Sequence, residues 1–126
     1  GRLGCLVFNE PSKRRWLEKL LHPLIRKEWL HAVKVAKVER IVVEVPLLFE
    51  NAIESEFDFV VSVYTNQRTQ MHRLLERGLD KAEAENRLAA QLPVEEKACR
   101  ADFVLLGEGD LAYLERQVER LCITFS

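Results

Sequence analysis

The sequence has few cysteines, and their arrangement excludes the usual structural uses of that residue. Cys5, Cys99 and Cys122 are odd in number and form no CxxC pair. None of the three histidines lies near a second ligand at metal-binding spacing. We therefore expect reduced thiols, a cytoplasmic location and no structural metal site.

Long hydrophobic runs are also absent. No apolar stretch approaches the length of a membrane span, and the chain does not open with a signal-peptide pattern. Its 126 residues are 48% hydrophobic and 31% charged, which is typical of a soluble globular domain rather than a disordered segment. We expect a single domain with no membrane partner.

The net charge of −1 conceals an uneven distribution of charge. Residues 11–40 carry nine basic and three acidic side chains, a net +6, whereas residues 41–126 carry nine and sixteen, a net −7. A basic segment can attract the phosphates of a nucleic acid or of a small anionic ligand. The alternative is the solvated face of a charged helix. No aromatic stacking surface accompanies the charge, so we expect no nucleic-acid partner.

The segment 40–50, with the sequence RIVVEVPLLFE, carries the strongest single signal. Its β-branched run is typical of a buried strand in a parallel sheet, and Glu44 lies inside that run. A buried charge is unfavourable unless a ligand, metal or partner satisfies it. Because open α/β sheets bind ligands at the carboxyl ends of their strands, Glu44 and the apolar tip after Pro46 predict a site. The alternative is a core strand with Glu44 solvated at an edge.

Periodicity predicts helices alternating with apolar strands, and therefore an α/β fold with a parallel sheet. We expect helices over 12–21 and 24–39, separated by His22-Pro23, and strands over 41–45, 57–64 and 103–106. Thr65 or Asn66 should cap a helix that stops at Gly78, and Asp80 with Glu83 should form a capping box. That next helix should end near 91–93, before a short charged turn. A last helix from Asp110 should place Leu111, Leu114, Val118 and Leu121 on one stripe. Three strands are few for such a sheet.

The order of several short segments resembles the dephospho-CoA kinase family, whose members transfer the ATP γ-phosphate to the ribose 3′-hydroxyl of dephospho-CoA. The matching segments are GRLGCLVF, LLHPLI, VEVPLLFE, RLLERG, AEAENRLAAQ and EEKACRAD, in the family's order and with similar gaps. The resemblance implies a P-loop nucleoside-kinase-like α/β fold with a helical lid. It also implies ATP and dephospho-CoA as substrates, Mg²⁺ as cofactor and a role in coenzyme A synthesis.

One part of the family pattern does not occur in these residues. Such kinases begin with a strand and a GxxGxGK[ST] loop that holds the nucleotide phosphates, and this sequence contains no such motif. The resemblance therefore implies the carboxy-terminal two-thirds of an enzyme, incomplete at its amino terminus and inactive alone. In the family fold the absent strand lies between those represented by 41–45 and 57–63. We expect a missing P-loop segment, or another chain, to complete the sheet.

On the acceptor side, the resemblance assigns Glu44 to a catalytic position where the family usually has Asp, facing the metal. The longer carboxylate would orient Mg²⁺-bound water. His22 corresponds to the family's helical break near the acceptor, although a lone histidine at a helix junction is also a common structural feature. The remaining acceptor-side residues would form an apolar wall against the pantetheine arm: Pro46, Leu47, Leu48 and Phe49. Core packing is the alternative role for Leu47 and Leu48.

On the nucleotide side, Arg73 and Arg77 are four residues apart and so share a helix face, and Arg87 and Gln91 repeat this spacing. The resemblance makes Arg77 a catalytic lid residue and Arg73 and Arg87 ligands of the nucleotide. Without the family resemblance, two arginines four residues apart on a helix are usually just solvated. Gly107 stands where the family has an Asn that helps to hold adenine, so it offers backbone groups alone.

The resemblance divides a single partial kinase domain into four regions: acceptor-side helices over 1–39, core strands over 40–64, lid helices over 65–98, and the last strand and helix over 99–126. The competing hypothesis is a non-catalytic remnant or interaction module of kinase ancestry, consistent with Gly107 and with the absent phosphate-binding motif.

Overall fold

The computed structural model describes residues 10–125, apart from the side chains of Pro11, Arg14 and Glu18. The opening segment GRLGCLVF and Cys5 therefore lie outside the described residues. The chain divides into two compact units, residues 1–46 and residues 47–126, and each is described by itself.

Within residues 10–46, the described part of the first unit, one long helix is found, α1 (Pro11–Val35). The prediction of two helices is wrong, because α1 runs through His22 and Pro23 without a break. An interior proline removes one backbone hydrogen bond and crowds the carbonyl four residues earlier, but strong helix formers flank Pro23 on both sides and continue the helix. The helix begins at Pro11 rather than at residue 12. Glu10 is its N-cap residue, and the Glu10 carboxylate pairs with Lys13 at 2.7 Å. The helix also stops before the predicted end at Glu39.

The segment after α1 corrects the expectation of a strand over 41–45. Residues 36–46 form no helix or strand, and Glu44 is exposed to solvent. A β-branched run becomes a strand only where a neighbouring strand supplies hydrogen bonds, and the sheet found among residues 10–125 does not include this segment. The premise of a carboxylate inside a buried strand is therefore wrong for the described structure.

The second unit is built on two parallel strands, β1 (Val61–Tyr64) and β2 (Phe103–Leu106). The prediction for β2 is confirmed. The predicted strand over 57–64 starts later than expected, because a single 3₁₀ turn at Glu54–Glu56 precedes it. Val60 marks the entry to the sheet: its N–H donates to Asp102 Oδ2 at 2.8 Å, and its carbonyl accepts from the Asp102 N–H at 2.9 Å.

Four helices flank the strands: α2 (Gln67–Glu76), α3 (Lys81–Ala89), α4 (Val94–Arg100) and α5 (Leu111–Thr124). The predicted caps are confirmed, since the side chains of Asn66, Asp80 and Asp110 each accept a backbone N–H in the first turn of their helix. Gly78, at φ 84°, ends α2 as expected. The predicted charged turn is wrong: those residues form α4.

Packing in the second unit joins α2 to α3, α4 to β1, and α5 to β2. The most buried apolar side chains described are Phe49, Val60 and Ala84, and none of the large ones is completely enclosed. Phe59, Phe103 and Phe125 form an aromatic cluster with ring centroids 4.9–6.0 Å apart. Leu111 does not share a buried stripe on α5, because it is 70% exposed. In the part of the chain that is described, no helix is both long and apolar enough to cross a bilayer.

Candidate functional site

The two strands end at the same edge of the sheet. The register pairs Tyr64 with Leu106, so Thr65-Asn66 and Gly107-Glu108 leave the sheet side by side. This edge is where open α/β sheets bind ligands. It is the candidate site of the second unit.

Hydrogen bonds fix the two strand ends to each other. The Gly107 N–H donates to the Tyr64 carbonyl at 2.7 Å, which extends the ladder by one step. The Asn66 N–H donates to Glu108 Oε1 at 2.6 Å, while the Asn66 side chain caps α2. Burial, together with the carboxylates of Glu95 and Glu108, raises the pKa of the Tyr64 hydroxyl at the same edge. The backbone at this edge is therefore closely specified.

Gly107 occupies a position with no room for a side chain. A Cβ there would lie 2.6 Å from Thr65 Oγ1 and 2.9 Å from Val63 Cγ1. The glycine permits close approach of the two strand ends, a local reason for its presence that the sequence did not reveal. Its carbonyl accepts a hydrogen bond from Arg73 Nη2 at 2.8 Å. Two residues predicted to bind the nucleotide, Arg73 and Gly107, are thus brought together.

The hairpin formed by α2 and α3 carries the predicted lid arginines. Arg77 is the C-cap residue of α2 and is exposed, and its guanidinium makes no hydrogen bond or ion pair with any described residue. Arg87 lies in the last turn of α3 and is half-buried. Gln91 follows that helix, and its side-chain oxygen accepts from Lys97 Nζ at 2.9 Å.

An open cleft of about 740 Å³ lies between this hairpin and the sheet. Its lining includes Gln70 and Met71 of α2, Leu88 of α3, Thr65 after β1 and Lys97 of α4. The lining mixes apolar side chains with a few polar groups, as is common in small-molecule sites. A ligand in this cleft would contact both the hairpin and the end of β1.

The predicted acceptor tip belongs partly to this unit. Leu47 and Leu48 are half-buried, and their carbonyls accept from the N–H groups of Asn51 and Ile53 in a tight turn. Phe49 is only 7% exposed, and the Arg100 guanidinium lies 5.2 Å from its ring centroid. Phe49 therefore packs into the protein rather than presenting an open apolar surface.

Three predicted residues lie in the first unit. His22 is half-buried in the middle of α1, and both Glu44 and Pro46 are exposed in the irregular segment that follows. No group of three or more metal-ligating side chains occurs within residues 10–125.

Two ion pairs between the tip and α4 were missed by sequence reasoning. Glu50 pairs with Lys97 at 2.7 Å, and Glu54 pairs with Arg100. Burial raises the pKa of Glu50, but hydrogen bonds from Lys97 and from the Leu92 N–H outweigh it, so the net pKa lies below the ordinary value. Lys97 and Arg100 stand three residues apart, a spacing that places two cations on one face of a helix. A short charged segment of this kind predicts a turn, and in a turn the same spacing does not place the two cations on one face.

Comparison with known proteins gives consistent results. The sequence model described as CoaE, dephospho-CoA kinase, matches residues 1–113. A dephospho-CoA kinase of Arabidopsis thaliana is 39% identical over 97% of this chain and 54% of its own length. One of Anaeromyxobacter dehalogenans is 42% identical over 94% of this chain and 58% of its own. The crystal structure of TT1252 from Thermus thermophilus aligns with a TM-score of 0.75 at 30% identity, covering 99% of this chain and 66% of that one.

These findings define the protein as an α/β chain with a P-loop-kinase-like fold, a parallel sheet and flanking helices, as the sequence predicted. The chain belongs to the dephospho-CoA kinase family. It spans little more than half the length of the two curated relatives described above.

Proposed function

We propose that the protein containing this chain transfers the γ-phosphate of ATP to the ribose 3′-hydroxyl of dephospho-CoA, and that it does so in the cytoplasm. The family match over residues 1–113 carries the proposal. The position of the arginine-bearing hairpin beside the ends of two parallel strands supports it, because phosphoryl transfer depends on positioned cations more than on covalent chemistry.

Arg77 is the proposed catalytic residue. It is exposed, and its guanidinium has no partner among the described residues, so all five of its N–H donors are open to a ligand. Such a planar fork pairs bidentately with phosphate oxygens and stabilises the charge that develops on the transferring group. Arg73 keeps further donors beyond its bond to Gly107 and would bind nucleotide phosphate, together with Arg87.

The acceptor residues complete the proposal. In the second unit, Leu47 and Leu48 would face the pantetheine arm, with the buried Phe49 supporting them from within. In the first unit, His22 and Pro46 are proposed as acceptor-side residues from the family resemblance. Glu44 would orient Mg²⁺-bound water through its exposed carboxylate, since Mg²⁺ usually keeps several of its waters when it is bound with substrate phosphates. Bound Mg²⁺ would neutralise phosphate charge during transfer.

We propose that residues 1–126 do not catalyse the transfer alone. They contain no GxxGxGK[ST] motif, so the backbone cradle for the nucleotide phosphates has to come from a P-loop segment of the same protein or from another chain. Joining that segment would also add a strand to the sheet.

Acceptor selectivity tests the proposed function. The native protein that contains this chain is incubated with ATP, Mg²⁺ and, in separate reactions, dephospho-CoA, AMP or adenosine, and the products are separated by chromatography. We expect dephospho-CoA to be converted into coenzyme A, and the smaller acceptors to react poorly because they lack the pantetheine arm. Phosphorylation of none of the three would favour a non-catalytic remnant.

A further inference from the structure

The α2–α3 hairpin is connected to the rest of its unit through two short joints. One joint, at residues 65–66, leads from β1 into α2, and the other, at residues 90–93, leads from α3 into α4. The two hairpin helices pack on each other, whereas α4 packs on β1. Residues 90–93 therefore mark the point at which the chain leaves the hairpin and returns to the sheet.

Glu50 lies against this second joint although it is distant in sequence. Its Oε1 accepts from the Leu92 N–H at 3.0 Å and from Lys97 Nζ at 2.7 Å. Lys97 Nζ also donates to Gln91 Oε1 at 2.9 Å, so the joint, the acid and the amine form one network. The side chains of Glu50 and Lys97 are only 17% and 15% exposed.

The other end of this network is the acceptor loop, which we define as residues 47–53. Glu50 lies inside it, and the loop is held by backbone bonds from Asn51 to Leu47 and from Ile53 to Leu48. The Asn51 side chain adds a bond to the Leu47 carbonyl at 2.6 Å. Because these bonds hold the loop together, a displacement of the loop also moves the Glu50 backbone. The ionised Glu50 carboxylate transmits that displacement to Leu92 through the hydrogen bond that it accepts from the Leu92 N–H.

We propose that Glu50 is a positioning residue that couples the acceptor loop to the hairpin joint, so that binding of the acceptor on the loop orders the arginine-bearing hairpin. The inference rests on the proposed function, since it assumes that the loop meets dephospho-CoA. Glu50 itself touches neither substrate nor reacting phosphate in this scheme. It acts through Leu92 and the joint.

The chain offers a matched control for Glu50. Glu54 also ties the region after the tip to α4, through Arg100, and Arg100 bonds the Phe49 carbonyl at 3.4 Å as well. Neither the Glu54 nor the Arg100 side chain forms a hydrogen bond or an ion pair with residues 90–93. If Glu50 were only a tether between the tip and α4, Glu54→Gln would have the same consequences as Glu50→Gln.

The test compares amide hydrogen exchange in the hairpin with and without dephospho-CoA, in the native protein and in its Glu50→Gln and Glu54→Gln variants. Calorimetry first establishes that each protein binds dephospho-CoA. We expect the ligand to slow exchange in α2 and α3 by about tenfold in the wild type and in Glu54→Gln, which is the effect of one charge-assisted bond, and to have little effect in Glu50→Gln. The kcat of Glu50→Gln should fall about tenfold with the KM for the acceptor nearly unchanged.

The outcomes separate the two proposals. Absence of dephospho-CoA binding in the wild type would overturn the proposed function, and the coupling with it. Suppose instead that dephospho-CoA binds and slows amide exchange equally in wild type and in Glu50→Gln, or that both variants lose this slowing equally. Either result would overturn the coupling and leave the proposed function standing. Loss of slowing in Glu50→Gln alone supports the coupling.

Discussion

At the scale of single residues, Gly107 shows how a site position can be fixed by packing rather than by ligand chemistry. From the family resemblance, Gly107 lacks the Asn side chain that helps to hold adenine. The structure gives a local reason for it, since the Thr65 hydroxyl and a Val63 methyl occupy the space of a side chain. A residue larger than glycine therefore requires the Thr65 and Val63 side chains to shift, or the ends of β1 and β2 to move apart.

We expect Gly107→Ala to lower the free energy of unfolding by about 1–3 kcal/mol, a typical result of overpacking. Urea denaturation of the native protein measures it. Adding Thr65→Ala should recover part of the loss, because the nearest clash is with the Thr65 hydroxyl. Gly78→Ala is the control. Its added methyl group meets open space, and the expected loss of stability comes from backbone strain at φ 84°, so Thr65→Ala should not rescue it. Strict additivity of Gly107→Ala and Thr65→Ala would contradict this explanation.

Arg77 gives a prediction about catalysis at the same scale. Arg77→Ala should reduce kcat about a hundredfold, because it removes the donors that we propose stabilise the transferring phosphate, and should change the Kd for dephospho-CoA little. Steady-state kinetics and calorimetry on the native protein measure the two quantities. Arg120→Ala, an exposed arginine on α5, is the control and should leave kcat unchanged. A kcat for Arg77→Ala equal to that of the control would show that the lid assignment is wrong.

At the scale of secondary structure elements, the sequence predicted those features that local chemistry determines. The caps at Asn66 and Asp80, the helix start at Asp110 and the stop at Gly78 were correct, because each depends on residues close to it in sequence. The strand β2 was also correct, because its apolar run has a partner strand, β1, in the fold. The element α4 was missed because its charged residues look like a turn. Its Glu96–Arg100 pair, four residues apart at 3.6 Å, stabilises a helix instead.

Contacts between distant segments could not be predicted in the same way. The partners Glu50 and Lys97 are far apart in sequence, and nothing local specifies which acid meets which base. The prediction of a strand over 41–45 was wrong for a related reason. A strand needs a neighbouring strand, and the β-branched residues of the segment do not indicate whether one is present. The family pattern identified Arg73 and Gly107 as candidate residues. Only the fold shows that the two are in direct contact.

The network between the acceptor loop and α4 predicts a dependence of stability on pH. The pKa of Glu50 is lowered in the folded state, so its stabilisation is present above the pKa of the unfolded chain and is lost as pH falls through the folded pKa. Glu50→Gln should therefore be less stable than wild type at neutral pH by about 1–3 kcal/mol, with the difference shrinking below the ordinary pKa of a glutamate. Urea titrations at neutral and acidic pH test this. A difference independent of pH would contradict it.

At the scale of the whole molecule, the second unit has an α/β core with much apolar surface left in solvent. Its sheet, as described, has two strands, and Val61 and Val63 of β1 are 40% and 53% exposed. Exposed apolar side chains clustered on a sheet are typical of a surface that packs against further protein. This arrangement accords with the proposal that a phosphate-binding segment joins the sheet in the active enzyme.

One comparison tests the central claim most directly. Residues 1–126 alone, and the same residues joined behind the amino-terminal segment of the Anaeromyxobacter relative, are assayed for coenzyme A formation from ATP and dephospho-CoA. The account predicts product from the fusion and none above background from the 126 residues alone. Equal turnover by both proteins would contradict the claim that these residues supply the acceptor and lid side of a phosphotransferase whose phosphate cradle lies outside them.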